Sequence, residues 1–291
     1  MQDSVASVFA EFSTQFEGRV EYMYADAIGK VTIGVGNLID PVELALPLPF
    51  VSKSDGQSAG EDAIRADFTT IKSDPSLAQR GHLACRDITR LMLTDADIDD
   101  LVRSKAAQFE NHLRGRDPFN GYDDWSADAQ LGLLSMAWAL GPAFSFPKFQ
   151  LACAAGKWVA AADQSHMNDS LGGSLVHRNA ANRALFRDAA YVQAEGLDGT
   201  QLWYTLMGEL GRSLKNGAAN DANDVATLQD RLVTLGYLGG GSGSFDDDTE
   251  SAVRAFQGEF GVSSDGIVGG ATWAALGTCV PAGTTLADDQ N

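Results

Sequence analysis

Two carboxylates and a hydroxyl stand close together near the start of the chain, in the stretch FEGRVEYMYADAIGKVTIGVGN: Glu17, Asp26 nine residues on, and Thr32 six further. Cleaving a glycosidic bond needs one acid to protonate the leaving oxygen. It also needs a second carboxylate on the other face of the sugar, to activate water or to attack. The elements that would position such a pair can be read locally. Val5, Val8, Phe9, Phe12 and Phe16 recur at steps of three and four, which predicts a helix ending at Glu17-Gly18. From Val20 to Val35 the texture changes to Val, Tyr, Thr and Ile, with Gly29-Lys30 in the middle and glycines at 34 and 36, which predicts a hairpin. A helix end facing a hairpin can hold two carboxylates across a cleft. Taken alone, Glu and Asp at this spacing are mostly solvated surface charge.

Further along, residues 40 to 60 carry three prolines and the polar run SKSDGQSAG, which predicts a surface excursion. Thr94 with Asp97 three residues on predicts a helix N-cap. Ser126 does the same ahead of Leu131, Leu134 and Trp138, and Gly141-Pro142 ends that segment. Helical stretches are expected near 147 to 164 and 176 to 210. The run LKNGAANDAND from Leu214 is polar and poor in core residues, as a linker would be. After it, Val225, Leu228, Leu232 and Leu235 predict one helix, Ala252, Val253 and Phe256 a second, and Trp273 with Leu276 a short third. Glycines 239, 240, 241 and 243 form the bend between the first two.

Composition excludes several classes of function. The 291 residues suit one domain of ordinary size plus a small module, and 44% hydrophobic content is enough for real cores. The net charge is −18, and from Ala218 onward eleven acidic residues face only Arg231 and Arg254. Nucleic acid is therefore not expected as a partner, because phosphate neutralisation needs clustered Lys and Arg. No run approaches a membrane span, so no membrane insertion is expected. The N-terminus lacks the basic start and apolar stretch of a signal peptide, so synthesis in the cytoplasm without one is expected.

Metal and redox sites are not expected either. Cys85, Cys153 and Cys279 are an odd set without CxxC spacing, read as buried or idle thiols rather than a disulfide framework. Asp95, Asp97 and Asp99 imitate the start of a calcium loop, but Asp100 and Ala106 stand at its sixth and twelfth positions, so a charged helix start is the better reading. His82, His112, His166 and His177 offer no close zinc spacing. No metal and no organic cofactor is expected. Trp125 and Trp138 read as core rather than as sugar platforms.

The N-terminal string resembles the catalytic segment of the phage-type lysozymes, glycoside hydrolase family 24. That family has a Glu-Gly after its first helix, a Tyr-x-Asp, then Gly-x-x-Thr-x-Gly-x-Gly. Glu17-Gly18, Tyr24-Ala25-Asp26 and Gly29 to Gly36 fit this without a gap. The resemblance implies Glu17 as general acid, Asp26 as the carboxylate that positions or activates water, and Thr32 as the hydroxyl holding that water. Asn37 stands where the family has His. Downstream, LGLLSMAWALGPAFSFPKFQLACAAGKWVAAAD and SLVHRNAANRALF resemble the family's central and C-terminal helices, with Leu175, Arg178, Leu185 and Phe186 kept. His177 and Asn182 replace its usual Arg and Glu, and residues 40 to 90 have no counterpart in the family's core.

The C-terminal part resembles the peptidoglycan-binding domain 1 family, a three-helix module. Val225-x-x-Leu228-Gln229-x-x-Leu232-x-x-Leu235-Gly236-Tyr237, Phe245-Asp246-x-x-Thr249, Phe256-Gln257 and Asp265-Gly266-Ile267-Val268-Gly269-x-x-Thr272-Trp273 reproduce most of that pattern. Most of these residues read as structural, and Gln229 and Asp265 are the candidates for a binding groove.

Together these readings imply a mainly helical α+β protein: a lysozyme-like domain with a small β-hairpin sheet over 1–213, a linker over 214–223, a three-helix module over 224–280 and a tail over 281–291. The implied activity is hydrolysis of the β-1,4 bond between N-acetylmuramic acid and N-acetylglucosamine. The expected partner is peptidoglycan and the expected state a monomer acting in the periplasm or cell wall after export, lysis or injection. A phage endolysin and a secreted antibacterial effector, with its immunity protein or secretion carrier, both fit. The alternatives are a non-catalytic wall-binding component of an injection apparatus and a chitinase-like hydrolase.

Overall fold

The computed structural model describes residues 1–170 and 173–286 and is a mainly helical α+β structure with small antiparallel sheets. The chain divides into two compact units, Phe9–Ala107 and Met1–Val8 with Gln108–Asn291. Part of the tail expected over 281–291 lies outside the described residues. Among the described residues no helix is long and apolar enough to cross a membrane.

In the first unit, helix α1 (Asp3–Glu17, beginning in the other unit) buries Phe9, Phe12 and Phe16 along one stripe, with Phe12 and Phe16 edge to face. Strands β1 (Val20–Ala25), β2 (Val31–Gly34) and β3 (Asn37–Leu38) follow in one antiparallel sheet. Tyr24 pairs with Thr32 across the hairpin, and Ile33 with Asn37 across the second turn. The second turn depends on glycine, since Gly34 and Gly36 both have positive φ. At Gly36 a Cβ would also stand 3.2 Å from Glu17 Oε2, so the strand return runs close beside that carboxylate.

Residues 40 to 60 are more than the surface excursion their prolines suggest. Ala45 and Phe50 are buried, and β4 (Val51–Ser52) pairs with β5 (Leu91–Met92); the polar run 53–60 is the exposed part. Between these strands lie α2 (Glu61–Lys72), α3 (Leu77–Arg80) and α4 (Leu83–Arg86). Helix α2 buries Ile64, Phe68 and Ile71. Its buried Asp67 accepts the amides of Arg90 at 2.7 Å and Leu91 at 2.8 Å. Helix α5 (Asp95–Arg114) starts as its sequence predicts, with Thr94 and Asp97 capping each other reciprocally.

The second unit is built on α6 (Ala127–Leu140), capped by Ser126 and closed at Gly141, as expected. The single helical stretch expected over 147 to 164 is two helices, α7 (Pro147–Ala154) and α8 (Trp158–Gln164). Gly156 sits between them at φ 64°, a left-handed conformation that ends a helix. The helix expected over 176 to 210 is α9 (Ser174–Glu195). It stops at the left-handed Gly196, and the chain beyond it to 210 is irregular. Helices α6 and α9 cross closely: a Cβ on Gly132 would lie 2.8 Å from the buried Phe186 ring, and buried Arg178 donates to Ser135 O at 3.2 Å.

The three C-terminal helices, α10 (Ala222–Thr234), α11 (Asp247–Phe260) and α12 (Gly270–Ala275), bury Val225, Leu228, Leu232, Val253, Phe256 and Trp273, as their periodicity predicts. They belong to the same unit as α9, and α12 lies against it. The connection over 214–223 is pinned: Leu214 is buried and bridges to Val268, and the Asn220 side chain bonds both backbone groups of Lys215. Two buried carboxyls complete this packing. Asp128 accepts the amide of Tyr204 at 2.8 Å, Asp188 accepts Thr278 Oγ1 at 2.5 Å and the amide of Cys279 at 2.9 Å, and the Tyr204 hydroxyl donates to Ala274 O at 2.6 Å.

Gly132→Ala should therefore force the α6–α9 crossing apart and cost about 1–3 kcal/mol, read as a drop in thermal midpoint with the far-UV spectrum unchanged. Burial pushes the Asp128 and Asp188 carboxyls up, and the two reinforce each other. Their folded form holds protons that the unfolded chain has released above about pH 4. The stability they contribute is thus full below that point and lost as pH rises through their raised values. Thermal midpoints should be higher at pH 5 than at pH 8, and Asp128→Asn should shrink the difference. An unchanged difference would mean these carboxyls do not set the pH dependence.

Candidate functional site

The helix α1 ends where glycine allows it, at Gly18 with φ 72°, and this leaves Glu17 exposed at the turn into β1. Asp26 opens the hairpin turn. Its Oδ1 accepts the amides of Ile28 at 2.9 Å and Lys30 at 2.8 Å, so the turn itself fixes the side chain. Glu17 and Asp26 line one open cleft of about 340 Å³, with Arg19, Tyr24, Ala78, Gly81 and His82 among its walls. Tyr24 feels both carboxylates. Burial first, then the negative charge of Glu17 and Asp26, pushes its phenol up to about 12, so it remains a hydroxyl donor at neutral pH.

Thr32 is placed differently. It is only 4% exposed, its Oγ1 donates to Lys30 O at 3.4 Å, and it is not among the residues lining the cleft. Asn37, at the position where the resembling family has His, is also buried. Its Oδ1 accepts the Val35 amide at 3.0 Å and so closes the turn that carries Gly36 past Glu17; its Nδ2 has no hydrogen-bond partner.

Two cleft residues were not legible as such. Arg19 follows the Glu-Gly pair, and its guanidinium is held by Asp95 at 2.8 Å and Asp99 at 2.9 Å. This is where the acidic run that imitates a calcium loop finds its counter-charge. Sequence offered a hint in the lone basic residue beside Glu17. His82 comes from the stretch without a family counterpart, and its Nδ1 lies 3.2 Å from the Tyr22 hydroxyl.

In the C-terminal module, Gln229 is not available to a ligand. It is 2% exposed, its Nε2 donates to Ser244 O and Thr249 Oγ1, each at 2.8 Å, and its Oε1 accepts the Gly243 amide at 2.9 Å. Its side chain thus ties the loop at 243–244 to α11 instead of facing a groove. Asp265 is exposed. Its Oδ1 accepts the Ile267 amide at 2.9 Å and Gln257 Nε2 at 3.1 Å, and these bonds lower its carboxyl below the ordinary range. A separate open groove of about 480 Å³ runs beside α11, walled by Tyr237, Gly239, Gly240, Ser242, Asp246 and Asp248 among others. Neither Gln229 nor Asp265 lines it.

Elsewhere, Trp125 sits in an aromatic cluster with Phe119, Tyr122 and Trp158, and Trp138 packs on Phe109. All three cysteines are free thiols.

No curated protein and no solved structure matches the chain. Residues 221–276, which span α10 to α12, match the family model described as a peptidoglycan binding domain, and this ties the protein to the cell wall.

Proposed function

We propose that the protein is a peptidoglycan hydrolase that cleaves the β-1,4 bond between N-acetylmuramic acid and N-acetylglucosamine. The observation that supports this reading most is that Glu17 and Asp26 wall the same open cleft, one from a helix end and one from a hairpin turn. In this mechanism Glu17 protonates the glycosidic oxygen. Asp26, with Oδ1 tied into its turn, presents Oδ2 to the attacking water. Thr32 acts through the hairpin that aims Asp26, because its hydroxyl faces the Lys30 carbonyl. No metal or organic cofactor has a part in these steps.

The module over 224–280 supplies retention. Binding a polymer through an attached module raises the local concentration of cleavable bonds without changing the chemistry. A phage endolysin and a secreted antibacterial effector would use the same two parts. A wall-binding component with a silent hydrolase-like domain would need only the module, and it leaves the two carboxylates on one cleft without a purpose.

Glu17→Gln keeps shape but cannot deliver a proton, so clearance of purified sacculi should fall by at least about a hundredfold. Asp26→Asn should fall comparably with little change in thermal midpoint, because an amide oxygen can still accept the Ile28 and Lys30 amides. Clearance near the unmodified rate by either folded variant would sink the assignment. The full-length Glu17→Gln protein should also sediment with sacculi and keep doing so in moderate salt. Its module is acidic and cannot rely on attraction to anionic wall polymers. Release by salt alone would contradict this.

A further inference from the structure

Residues 40 to 90 have no counterpart in the lysozyme-like core, yet they build one wall of the cleft. Ala78, Gly81 and His82 all line it, from α3, the turn after it and the residue before α4. Of these only His82 carries a group that can make a directed bond. Its ring is held on two sides: Nδ1 is 3.2 Å from the Tyr22 hydroxyl, and the Tyr24 ring meets it edge-on with centroids 6.1 Å apart. Tyr22 is in turn fixed. It is buried in β1, and Lys53 Nζ sits 4.6 Å from its ring centroid while donating to Arg86 O and to both oxygens of Thr89. The Tyr22 hydroxyl can donate to Nδ1. A neutral imidazole that accepts at Nδ1 carries its hydrogen on Nε2.

We propose that His82 is a glycan-binding residue of the cleft, donating from Nε2 to a carbonyl or hydroxyl oxygen of an N-acetylated sugar, with Tyr22 as the positioning residue that fixes its tautomer. The class of ligand rests on the hydrolase reading above. The role differs from catalysis: an N–H donor on a rigid wall holds the ground state and the transition state alike, so it lowers KM and leaves kcat nearly unchanged. The sugar would meet a preorganised donor, since neither ring has to reorient on binding.

The test uses the full chain carrying Glu17→Gln, so that the ligand is not consumed, and isothermal titration with the β-1,4-linked trimer of N-acetylglucosamine. His82→Ala should weaken binding about tenfold, the effect expected for loss of one well-placed hydrogen bond. His82→Gln, which keeps an N–H donor, should recover most of the loss. Tyr22→Phe should weaken binding about threefold with the thermal midpoint little changed. In the active protein, His82→Ala should raise KM on soluble glycan and leave kcat within about twofold. Equal affinity for the trimer with and without the His82 side chain would overturn the proposal, as would a trimer that does not bind the parent at all. If instead His82 governs trimer binding while the unmodified protein fails to clear sacculi, the binding role stands and the hydrolase reading falls.

Discussion

A chain with many irregular connections must satisfy peptide N–H groups that no helix or ladder reaches, and leaving one buried and unmatched costs about 1–3 kcal/mol. Here side-chain oxygens meet that demand at several junctions. Asp26 takes two amides in the hairpin turn, Asp67 takes those of Arg90 and Leu91, and Asn37 takes that of Val35. In the other unit Asp128 takes Trp203 and Tyr204, and Asp188 takes Cys279. Asp67, Asp128 and Asp188 sit on helices and reach backbone far along the chain, whereas Asp26 and Asn37 close turns beside themselves. Removing any of these acceptors would free a loop and orphan its amides together. The accompanying cost is desolvation of the carboxyl, which is why the two most deeply buried ones are pushed up.

The same device shapes the candidate site. In the proposed reaction, a carboxylate on a free side chain would lose rotamer entropy each time it aligned with a sugar. Asp26 has lost that freedom already, because one oxygen closes the turn that carries it. Glu17 is confined differently, by the close passage of Gly36, where any side chain would crowd Oε2. Asn37 makes that passage possible by bonding across the turn. Substituting the residue at this position does not touch either carboxylate, but it remodels the turn that lies against one of them.

What was legible in the sequence was what short-range periodicity and capping chemistry encode. The stripe from Val5 to Phe16, the Gly29 hairpin, the Ser126 and Thr94 caps and the apolar faces of α10 and α11 are each set by residues within a few positions of one another. The misreadings have a common physical origin. Gly156 and Gly196 end helices by adopting left-handed backbone, while the apolar texture on either side continues and hides the break. The β4–β5 pairing and the Asp67, Asp128 and Asp188 contacts join residues from 23 to 91 positions apart, and no local pattern reports them. The buried role of Gln229, a candidate for a binding groove in the sequence, depends on partners 14 to 20 residues away. The clue lay in a repeat. Gln229 bonds Ser244 O, Thr249 Oγ1 and the Gly243 amide, and Gln257 bonds Ile267 O, Thr272 Oγ1 and the Gly266 amide in the same arrangement. The Gly-to-Thr spacing of six residues recurs in both copies.

This repeat also bears on the acidity of the C-terminal quarter. Asp221 caps α10, Asp246 caps α11, and Asp247, Asp248 and Glu250 fill the first turn of α11. Acidic groups at those places answer the positive ends of helices and their unpaired amides. Hydrogen bonds from Ser242 and Thr249 hold Asp246 down to about 2, the mark of a carboxylate committed to its own fold. Much of the negative charge is thus structural in origin and says little about what the module binds. A ligand that is itself anionic along its length must then be recognised through neutral groups that the charge does not repel. The groove beside α11 mixes such groups, the glycine backbone of 239 and 240 and the half-buried ring of Tyr237 with its hydroxyl steadied by Glu259 Oε2 at 2.6 Å, with the carboxylates of Asp246 and Asp248. Affinity of that kind grows from shape and hydrogen bonding at short range, and salt screens it little.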